Sequence, residues 1–231
     1  MGHDALPEDS GTISHSFFHP ARQAMRPMTT RIETVAFDLG GVLIDWNPRH
    51  LYRRLLDDEA AVERFLAEVC TPEWNATLDA GYPFADGVAQ LVREHPEQAE
   101  LIEAYRSRWP EMLGGCFGET LEIMRRLRSE GVPVYALSNW AAETFASTRD
   151  RYPFLDEFDG ILLSGQVGVG KPDPTIFRLF LERFGLTAES TVFIDDSPAN
   201  VAVARSLGIQ ALLFRNATQL KRELQALGLP V

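Results

Sequence analysis

The chain has 231 residues, of which 45% are hydrophobic, and its 22 basic and 33 acidic side chains give a formal net charge of −11. This composition is typical of a folded protein with one large core domain, and the negative charge disfavours binding to nucleic acid or to anionic membrane surfaces. The two cysteines, Cys70 and Cys116, have no metal-ligand spacing and are too few for a disulfide scaffold, so we expect a reducing, cytoplasmic location.

The first thirty residues carry no apolar segment and no cleavage site of the kind that a secretory signal requires. No apolar run in the chain approaches the roughly 20 residues that a membrane-spanning helix needs. We therefore expect residues 1–30 to form a flexible arm, and we expect no part of the chain to lie in a membrane.

Five apolar runs rich in β-branched residues predict the strands of a sheet. They are residues 32–38, 132–138, 160–164, 191–195 and 210–214. Near-continuous apolar strands of this kind are typical of a parallel sheet that is buried on both faces. Helical patterns lie between them at 118–130, 173–184 and 198–207, each followed by glycine. This alternation predicts a doubly wound α/β fold with a Rossmann-like parallel sheet.

The segment from Pro48 to Leu113 interrupts the alternation, because it contains helical patterns and no strand-like run. We predict that residues 48–114 form an all-helical cap inserted after the first strand. The core would then comprise residues 31–47 and 115–231.

Three glycines at the end of this segment, Gly114, Gly115 and Gly118, predict a hinge between cap and core. Glycine accepts the backbone changes of a closing movement at low steric cost. The alternative is a helical bundle that docks rigidly on the sheet.

Polar side chains follow the carboxyl ends of three predicted strands. They are Asp38, Ser138 with Asn139, and the pair Asp195 and Asp196. In open parallel sheets these strand ends meet at one edge, where ligands bind. Lys171, in the stretch GVGKPDP, adds a cation ahead of a helix. Together these groups suit phosphoryl transfer, in which acidic residues hold Mg²⁺ and a lysine shares the charge of the phosphoryl group.

Each of these residues also has a purely structural interpretation. Asp38 and the Ser138–Asn139 pair are of types common in turns, and Lys171 could be a solvated loop charge. The two later acids could cap the helix that starts at Pro198. The occurrence of all four groups in the expected order favours catalysis. If Lys171 is catalytic, Lys171→Met should lower activity strongly with little loss of stability.

Four stretches in this order, FDLGGVL, LSN, GKPDP and FIDDSPANV, resemble the four motifs of the haloacid dehalogenase superfamily of hydrolases. The branch that the chain resembles has a helical cap after the first strand, which is subfamily I with a C1-type cap. The similarity extends from Ile32 to Phe214. It implies a Mg²⁺-dependent phosphatase that acts on a small phosphorylated molecule, and we expect a monomer or a homodimer.

The resemblance also implies a role for each motif residue. Asp38 would be the nucleophile that forms an aspartyl-phosphate, assisted by Ser138 and Lys171. The metal ligands would be Asp38, Asp196 and the backbone carbonyl of Gly40, with Asp195 behind them. The substrate-binding residues would be Ser138, Asn139, Lys171, Trp140 and, through its backbone amide, Gly41.

Gly40 departs from the pattern of the family. Phosphatases of the superfamily usually carry an aspartate at this position, which protonates the leaving oxygen and later activates water. Loss of a general acid/base typically costs about 10²–10⁴ in rate. A substrate with a good leaving group, another acid such as Asp45 or a residue of the cap, or weak activity would each account for the glycine.

Two other functions stay open at this point. Metal-independent dehalogenases of the superfamily also lack the second acid, but they carry serine and asparagine in place of the acidic pair. Asp195 and Asp196 therefore favour a phosphatase. A phosphate-binding protein with little turnover is the other alternative, since a fold does not fix function.

Overall fold

The computed structural model describes residues 1–3 and 31–231, so the arm predicted at residues 1–30 falls almost entirely outside the described residues. The strands of the described part are β1 (Thr34–Phe37), β2 (Ile44–Trp46), β3 (Leu113–Cys116), β4 (Val134–Ser138), β5 (Gly160–Leu163), β6 (Thr191–Asp195) and β7 (Gln210–Leu213).

The same residues form helices that surround the strands. They are α1 (Arg49–Tyr52), α2 (Glu59–Glu68), α3 (Pro72–Asp79), α4 (Phe84–Glu94), α5 (Ala99–Ser107), α6 (Gly118–Ser129), α7 (Ala142–Thr148), α8 (Ser164–Val167), α9 (Pro174–Phe184), α10 (Pro198–Ser206) and α11 (Ala217–Ala226). Among the residues described, no helix combines the length and apolar character needed to cross a bilayer.

The main sheet is parallel throughout and has the strand order β5-β4-β1-β6-β7. All five predicted strands are present in it, which confirms the predicted doubly wound, Rossmann-like α/β fold. β1 lies at the centre, with Val35 opposite Val134 of β4 on one side and Val192 of β6 on the other. Strand order reverses at β1, and in such sheets ligands bind beyond the carboxyl ends of the strands at that point.

Helices cover both faces of the sheet, as the period of two along β1 requires. Val35 and Phe37 belong to the apolar cluster that includes residues of α6 and α11, whereas Ala36 belongs to the cluster with Phe177 and Phe180 of α9. Each of these phenylalanines is at most 1% exposed, and burial of a side chain of this size contributes about 1.5–3 kcal/mol. The strand ends are therefore held by a sheet that is packed on both sides.

Residues 49–112, here called the helical segment, form α1 to α5 and short 3₁₀ turns and contain no strand. The chain leaves the core through β2 and returns through β3, and these two strands pair as an antiparallel ribbon with Trp46 opposite Leu113. Gly114 and Gly115 lie in β3, and Gly118 is the first residue of α6. A hinge at these glycines stays a prediction, as does the division of the chain into cap and core.

The helix α3 has clear local causes. Thr71 caps its start by accepting a hydrogen bond from the Trp74 N–H at 3.1 Å, and Pro72 occupies its first turn. Leu78 and Asn75 face inward and are buried. The last residue of the helix is Asp79, which therefore lies where α3 meets the core.

Candidate active site

The acids of the first and the last motif lie close together because β1 and β6 are neighbouring strands. The Asp38 N–H continues the ladder by donating to Ile194 O at 2.8 Å, which places Asp38 beside the carboxyl end of β6. Asp195 and Asp196 follow at that end. One oxygen each of Asp38, Asp195 and Asp196 lies within 4.8 Å of the others. The structure thus brings Asp38 close to Asp195 and Asp196, which lie far from it in the sequence.

Lys171 lies at the centre of this cluster, with its side chain only 1% exposed. Its Nζ donates to Asp195 Oδ2 at 2.7 Å and to Leu137 O at 2.9 Å, and it lies 3.0 Å from Asp38 Oδ2. Burial acts to lower the pKa of Lys171, but Asp38 and Asp195 together raise it above its ordinary value. Lys171 is therefore a buried cation and not a solvated loop charge.

This burial changes the expectation for Lys171→Met. Removal of one member of a buried ion pair leaves the other charge unpaired, which costs several kcal/mol. Since Asp195 is fully buried and Asp38 nearly so, the substitution should lower stability as well as activity.

The environment of Asp38 disfavours its charge unless a cation is near. Burial raises its pKa to about 7; Lys171 opposes this effect and Asp195 adds to it. One carboxylate oxygen, Oδ1, accepts a hydrogen bond from the Leu39 N–H at 2.7 Å, and the other faces Lys171. One lysine shared by two buried carboxylates leaves an excess of negative charge, which a bound divalent cation would offset.

Asp195 holds other groups in place. Its Oδ1 accepts hydrogen bonds from the Ser197 N–H at 2.8 Å and from the Asn200 amide at 3.0 Å, while its Oδ2 binds Lys171. It is completely buried. Asp195 therefore orients Lys171 and the start of α10, and its place behind the metal ligands stays a prediction.

The donor set suits Mg²⁺. This ion prefers oxygen ligands and binds proteins through one or two carboxylates together with substrate oxygens. Asp196 reaches the site because Gly41 has no side chain: a Cβ at Gly41 would lie 2.3 Å from Asp196 Oδ2. Gly41 also has a positive φ of 74°, which favours glycine. The turn after Asp38 is therefore shaped to accept a carboxylate against its backbone.

The two glycines of the turn differ in their constraints. A Cβ at Gly40 would meet only Trp46 Cβ at 3.8 Å, an ordinary contact, and Gly40 is not among the glycines with positive φ. The N–H of Gly41 donates to Ile44 O at 2.9 Å, so in this conformation it is not available to a phosphoryl group. The predicted role of Gly41 in substrate binding through its amide thus needs a different turn geometry.

Ser138 and Asn139 lie at the carboxyl end of β4, where they were predicted. Ser138 is 2% exposed. The Asn139 amide binds the backbone of Lys171 at both ends: its Nδ2 donates to Lys171 O, and its Oδ1 accepts from Lys171 N, each at 2.7 Å. Asn139 therefore holds the loop that carries the lysine, and a direct contact with substrate stays a prediction.

A cavity of about 310 Å³ connects these groups. The sequence-predicted residues on its wall are Asp38, Gly40, Gly41, Ser138, Asn139, Trp140, Lys171 and Asp196. Four further lining residues were not predicted as site residues: Trp46, Asp79, Trp109 and Asn200. Asn200 belongs to the quoted FIDDSPANV stretch, so that motif was the signal that could have identified it.

Trp140 joins the core side of the cavity to the helical segment. Its ring packs on Trp109 with ring centroids 5.5 Å apart, and its Nε1 donates to Thr144 Oγ1 at 3.1 Å. It is 5% exposed. The structure thus places Trp140 against the helical segment, while its predicted contact with substrate stays a prediction.

Asp45 and an unnamed residue of the cap were the predicted candidates to replace the missing acid at Gly40. Asp45 pairs with His50, whose Nε2 lies 2.9 Å from Asp45 Oδ2, and Asp45 is absent from the described cavity wall. Asp79 does line the cavity. Burial raises its pKa to about 7, although hydrogen bonds from the Ala141 N–H and the Asn75 amide lower it.

Comparison with known proteins gives a consistent result. Residues 32–208 match the family of haloacid dehalogenase-like hydrolases. A sesquiterpene phosphatase of Aspergillus oryzae is 26% identical over 204 residues, which cover 87% of this chain and 98% of that protein. A phosphorylated carbohydrates phosphatase of Thermotoga maritima is 29% identical over 191 residues, with coverage of 78% and 84%.

Among solved structures, one neighbour is a HAD family enzyme of Bacteroides thetaiotaomicron in complex with magnesium and inorganic phosphate. It aligns with a TM-score of 0.61 and 25% identity over 80% of this chain and 95% of that chain. The similarity therefore spans the main sheet together with most of the remaining chain.

Proposed function

Because this chain belongs to the haloacid dehalogenase-like hydrolases, we propose that it is a phosphatase that hydrolyses a small phosphate monoester through an aspartyl-phosphate on Asp38, with Mg²⁺ as cofactor. The observation that carries the proposal is the position of Lys171 between Asp38 and Asp195 on the wall of a cavity that Asp196 also lines. The phosphatases among the similar proteins support the same reaction class.

In the first half of the reaction, a carboxylate oxygen of Asp38 attacks phosphorus and the alcohol leaves. A covalent intermediate divides one difficult hydrolysis into two easier steps. Lys171 offsets the charge of Asp38, and the Ser138 hydroxyl can donate to a phosphoryl oxygen, where charge collects in the transition state. Mg²⁺, held by Asp38, Asp196 and the carbonyl of Gly40, would neutralise the phosphoryl charge when bound.

In the second half, water attacks phosphorus of the aspartyl-phosphate and restores the Asp38 carboxylate. The geometry around Asp38 is compatible with both halves, because Oδ1 is fixed by the Leu39 N–H and Oδ2 by Lys171. A carboxylate that cannot rotate keeps its reacting oxygen in line with a bound ester.

The helical segment is proposed to act as a cap. It supplies Asp79 and Trp109 to the cavity wall, which Asp38 and Lys171 also line. Closure over the substrate would exclude water and strengthen the electrostatic interactions inside. The apolar rings of Trp109 and Trp140 would then face the organic part of the ester.

The acidic cluster argues against the metal-independent dehalogenase. Lys171 pairs with two of the three carboxylates that lie within 4.8 Å of one another, so without a further cation the site would repel a haloacid anion. Burial raises the pKa of Asp38, and Lys171 is the cation that opposes this effect. A binding protein without turnover would not need a buried nucleophile of this kind.

The test is release of phosphate from a generic ester with and without Mg²⁺. Asp38→Asn is nearly isosteric but cannot form the acyl phosphate, so we expect it to lose at least about 10³-fold in kcat. Asp57→Asn is the matched control, because Asp57 is exposed on the helical segment. Near wild-type turnover by Asp38→Asn, or turnover that ignores Mg²⁺, would contradict the proposal.

A further inference from the structure

None of the residues given a role in the proposed mechanism can protonate the leaving oxygen. Four titratable side chains line the cavity: Asp38, Asp79, Lys171 and Asp196. The proposed mechanism uses Asp38 as nucleophile, and Lys171 is bound to two carboxylates and keeps its charge. Asp196 is the proposed metal ligand. Asp79 is the one titratable lining residue among those described that has no assigned task.

The carboxyl group of Asp79 is held in position from two sides. From its own helix, Asn75 Nδ2 donates to Asp79 Oδ2 at 2.7 Å, and Asn75 is in turn fixed by the Tyr105 hydroxyl, which donates to Asn75 Oδ1 at 2.8 Å. From the core, the Ala141 N–H donates to Asp79 Oδ1 at 3.2 Å. The Ser164 hydroxyl donates to the backbone carbonyl of Asp79.

We propose that Asp79 is the general acid and base of this phosphatase and takes over, from the helical segment, the role that an aspartate at position 40 has in related enzymes. The inference rests on the proposed function, because it assigns a proton donor to that reaction. Its structural basis is that Asp79 of the helical segment and Asp38 of the core line the same cavity, while Gly40, which also lines it, offers no side chain.

The two half-reactions then balance. As the bond from Asp38 to phosphorus forms and the bond to the ester oxygen breaks, the Asp79 carboxyl gives its proton to that oxygen and the alcohol departs neutral. The Asp79 carboxylate next takes a proton from the attacking water. The new bond from water oxygen to phosphorus replaces the bond to Asp38, and phosphate leaves with Asp79 protonated again.

The surroundings of Asp79 suit a proton donor near neutral pH. Burial raises its pKa to about 7, more than the hydrogen bonds from Ala141 N–H and Asn75 lower it. The elements packed against it present neutral groups: Asn75 of α3, Ser164 of α8, and Tyr105 of α5, which burial keeps neutral by raising its pKa well above the ordinary value.

The other charged side chains on the cavity wall come from the core. They are Asp38, Lys171 and Asp196. An acid of this pKa is protonated below pH 7 and loses its proton as the pH rises through about 7. Turnover that depends on proton donation should fall over that interval.

Docking of the helical segment also controls this acid. Its contact with Ala141 crosses from the segment to the core, 62 positions apart in sequence. A segment that moves away would return Asp79 to water, where a carboxyl group is ionised at neutral pH. The donor would therefore be present in protonated form only over a closed site.

A purely structural role as a contact between segment and core is the competing explanation. It predicts equal losses for all substrates, because a loosened segment weakens every reaction alike. A proton donor acts differently: esters with poor leaving groups need it, whereas activated aryl esters leave without protonation.

The experiment measures kcat and KM of Asp79→Asn with an alkyl phosphate and with dinitrophenyl phosphate, in Mg²⁺. We expect kcat for the alkyl ester to fall about 10²–10⁴-fold, with little change for the aryl ester and for KM. The decline of alkyl turnover above pH 7 should disappear. Asp57→Asn, which changes an exposed aspartate of the same segment, should behave as wild type.

A second variant restores the acid from the core. Gly40→Asp has room for its Cβ and no unfavourable backbone angle, so Gly40→Asp in the Asp79→Asn background should regain alkyl turnover. This rescue supports proton donation even if Asp79→Asn is less stable. Equal losses for both esters, an unchanged pH profile or failed rescue in a folded double variant overturns the assignment of Asp79 alone. A wild-type protein without Mg²⁺-dependent turnover overturns the proposed function itself.

Discussion

The two sides of the cavity are built differently. On the sheet side, Asp38 is a direct continuation of β1 and is fixed by its N–H bond to Ile194 O, while Lys171 makes three polar contacts below 3.1 Å. On the helical side, Asp79 ends α3 and contacts the core through one N–H at 3.2 Å and one hydroxyl. The sheet side is thus part of the main sheet, whereas the helical side belongs to the segment between β2 and β3.

This difference matches two requirements of the proposed reaction: a fixed nucleophile, and access for substrate and product. The nucleophile and its cation need a fixed distance throughout the reaction, and a sheet packed on both faces supplies it. If the helical segment acts as a cap, as proposed, the acid and the aromatic wall move away from the sheet side for exchange of substrate and product.

The largest effect is expected when the sheet side loses its cation. Lys171→Met leaves Asp38 and Asp195 unpaired in the core, so we expect a loss of at least about 10³-fold in kcat and of about 3–5 kcal/mol in the free energy of unfolding. Urea denaturation and phosphate release measure the two. Lys221→Met removes an exposed lysine of α11 and is the control. A stable, inactive Lys171→Met would mean that the core tolerates the unpaired acids.

Alanine substitutions at the two glycines of the turn, Gly40 and Gly41, test whether Asp196 is a metal ligand. Gly41→Ala places a methyl group against Asp196 and forces alanine into a positive φ. We therefore expect the free energy of unfolding to fall by about 1 kcal/mol or more. We also expect the variant to lose the stabilisation that Mg²⁺ binding gives to the wild type. Wild type should gain about 2.7 kcal/mol at a Mg²⁺ concentration 100 times its Kd, measured as a rise in Tm.

Gly40→Ala is the matched control for this pair. Its Cβ meets an ordinary contact distance, so the variant should keep the Mg²⁺-dependent rise in Tm. If both alanine variants respond to Mg²⁺ like wild type, then Asp196 does not approach the metal against Gly41.

The smallest effect is expected at the boundary between the two sides. Arg106 of the helical segment pairs with Glu143 of α7 at 2.9 Å, and both are half exposed. Arg106→Gln should cost only about 0.2–1 kcal/mol in stability but should raise KM, because it weakens docking. Arg126→Gln breaks a similar exposed pair within the core and should leave KM unchanged. Equal KM for the two variants would show that the segment does not open during turnover.

The same contrast explains what could be predicted from the sequence. The residues of the sheet side follow apolar strands, and parallel strands place their carboxyl ends together, so Asp38, Ser138 and the acidic pair were identified with their shared location. The five strands and the helices α6, α9 and α10 were also predicted. The contribution of Lys171 to stability was not predicted, because it depends on contacts with residues 24 and more positions away.

The helical side could not be identified in this way. α3 has a polar sequence, PEWNATLD, with only Leu78 and Asn75 buried, so its apolar stripe is too short to define a helix by period. Its local signals were Thr71 followed by proline and the i, i+4 spacing of Asn75 and Asp79. Neither signal tells which residue faces the nucleophile, because that depends on how the segment docks.

The ribbon of β2 and β3 has a consequence for protein engineering. Trp46 and Leu113 are paired across it, and the Cα atoms of directly paired antiparallel residues lie about 4.5–5.5 Å apart. The segment of 66 residues between them therefore begins and ends at neighbouring points of the ribbon. A two-residue hairpin turn spans such a gap. A helical segment of another sequence, grafted between the same two residues, would therefore start and end at the positions where the present one does.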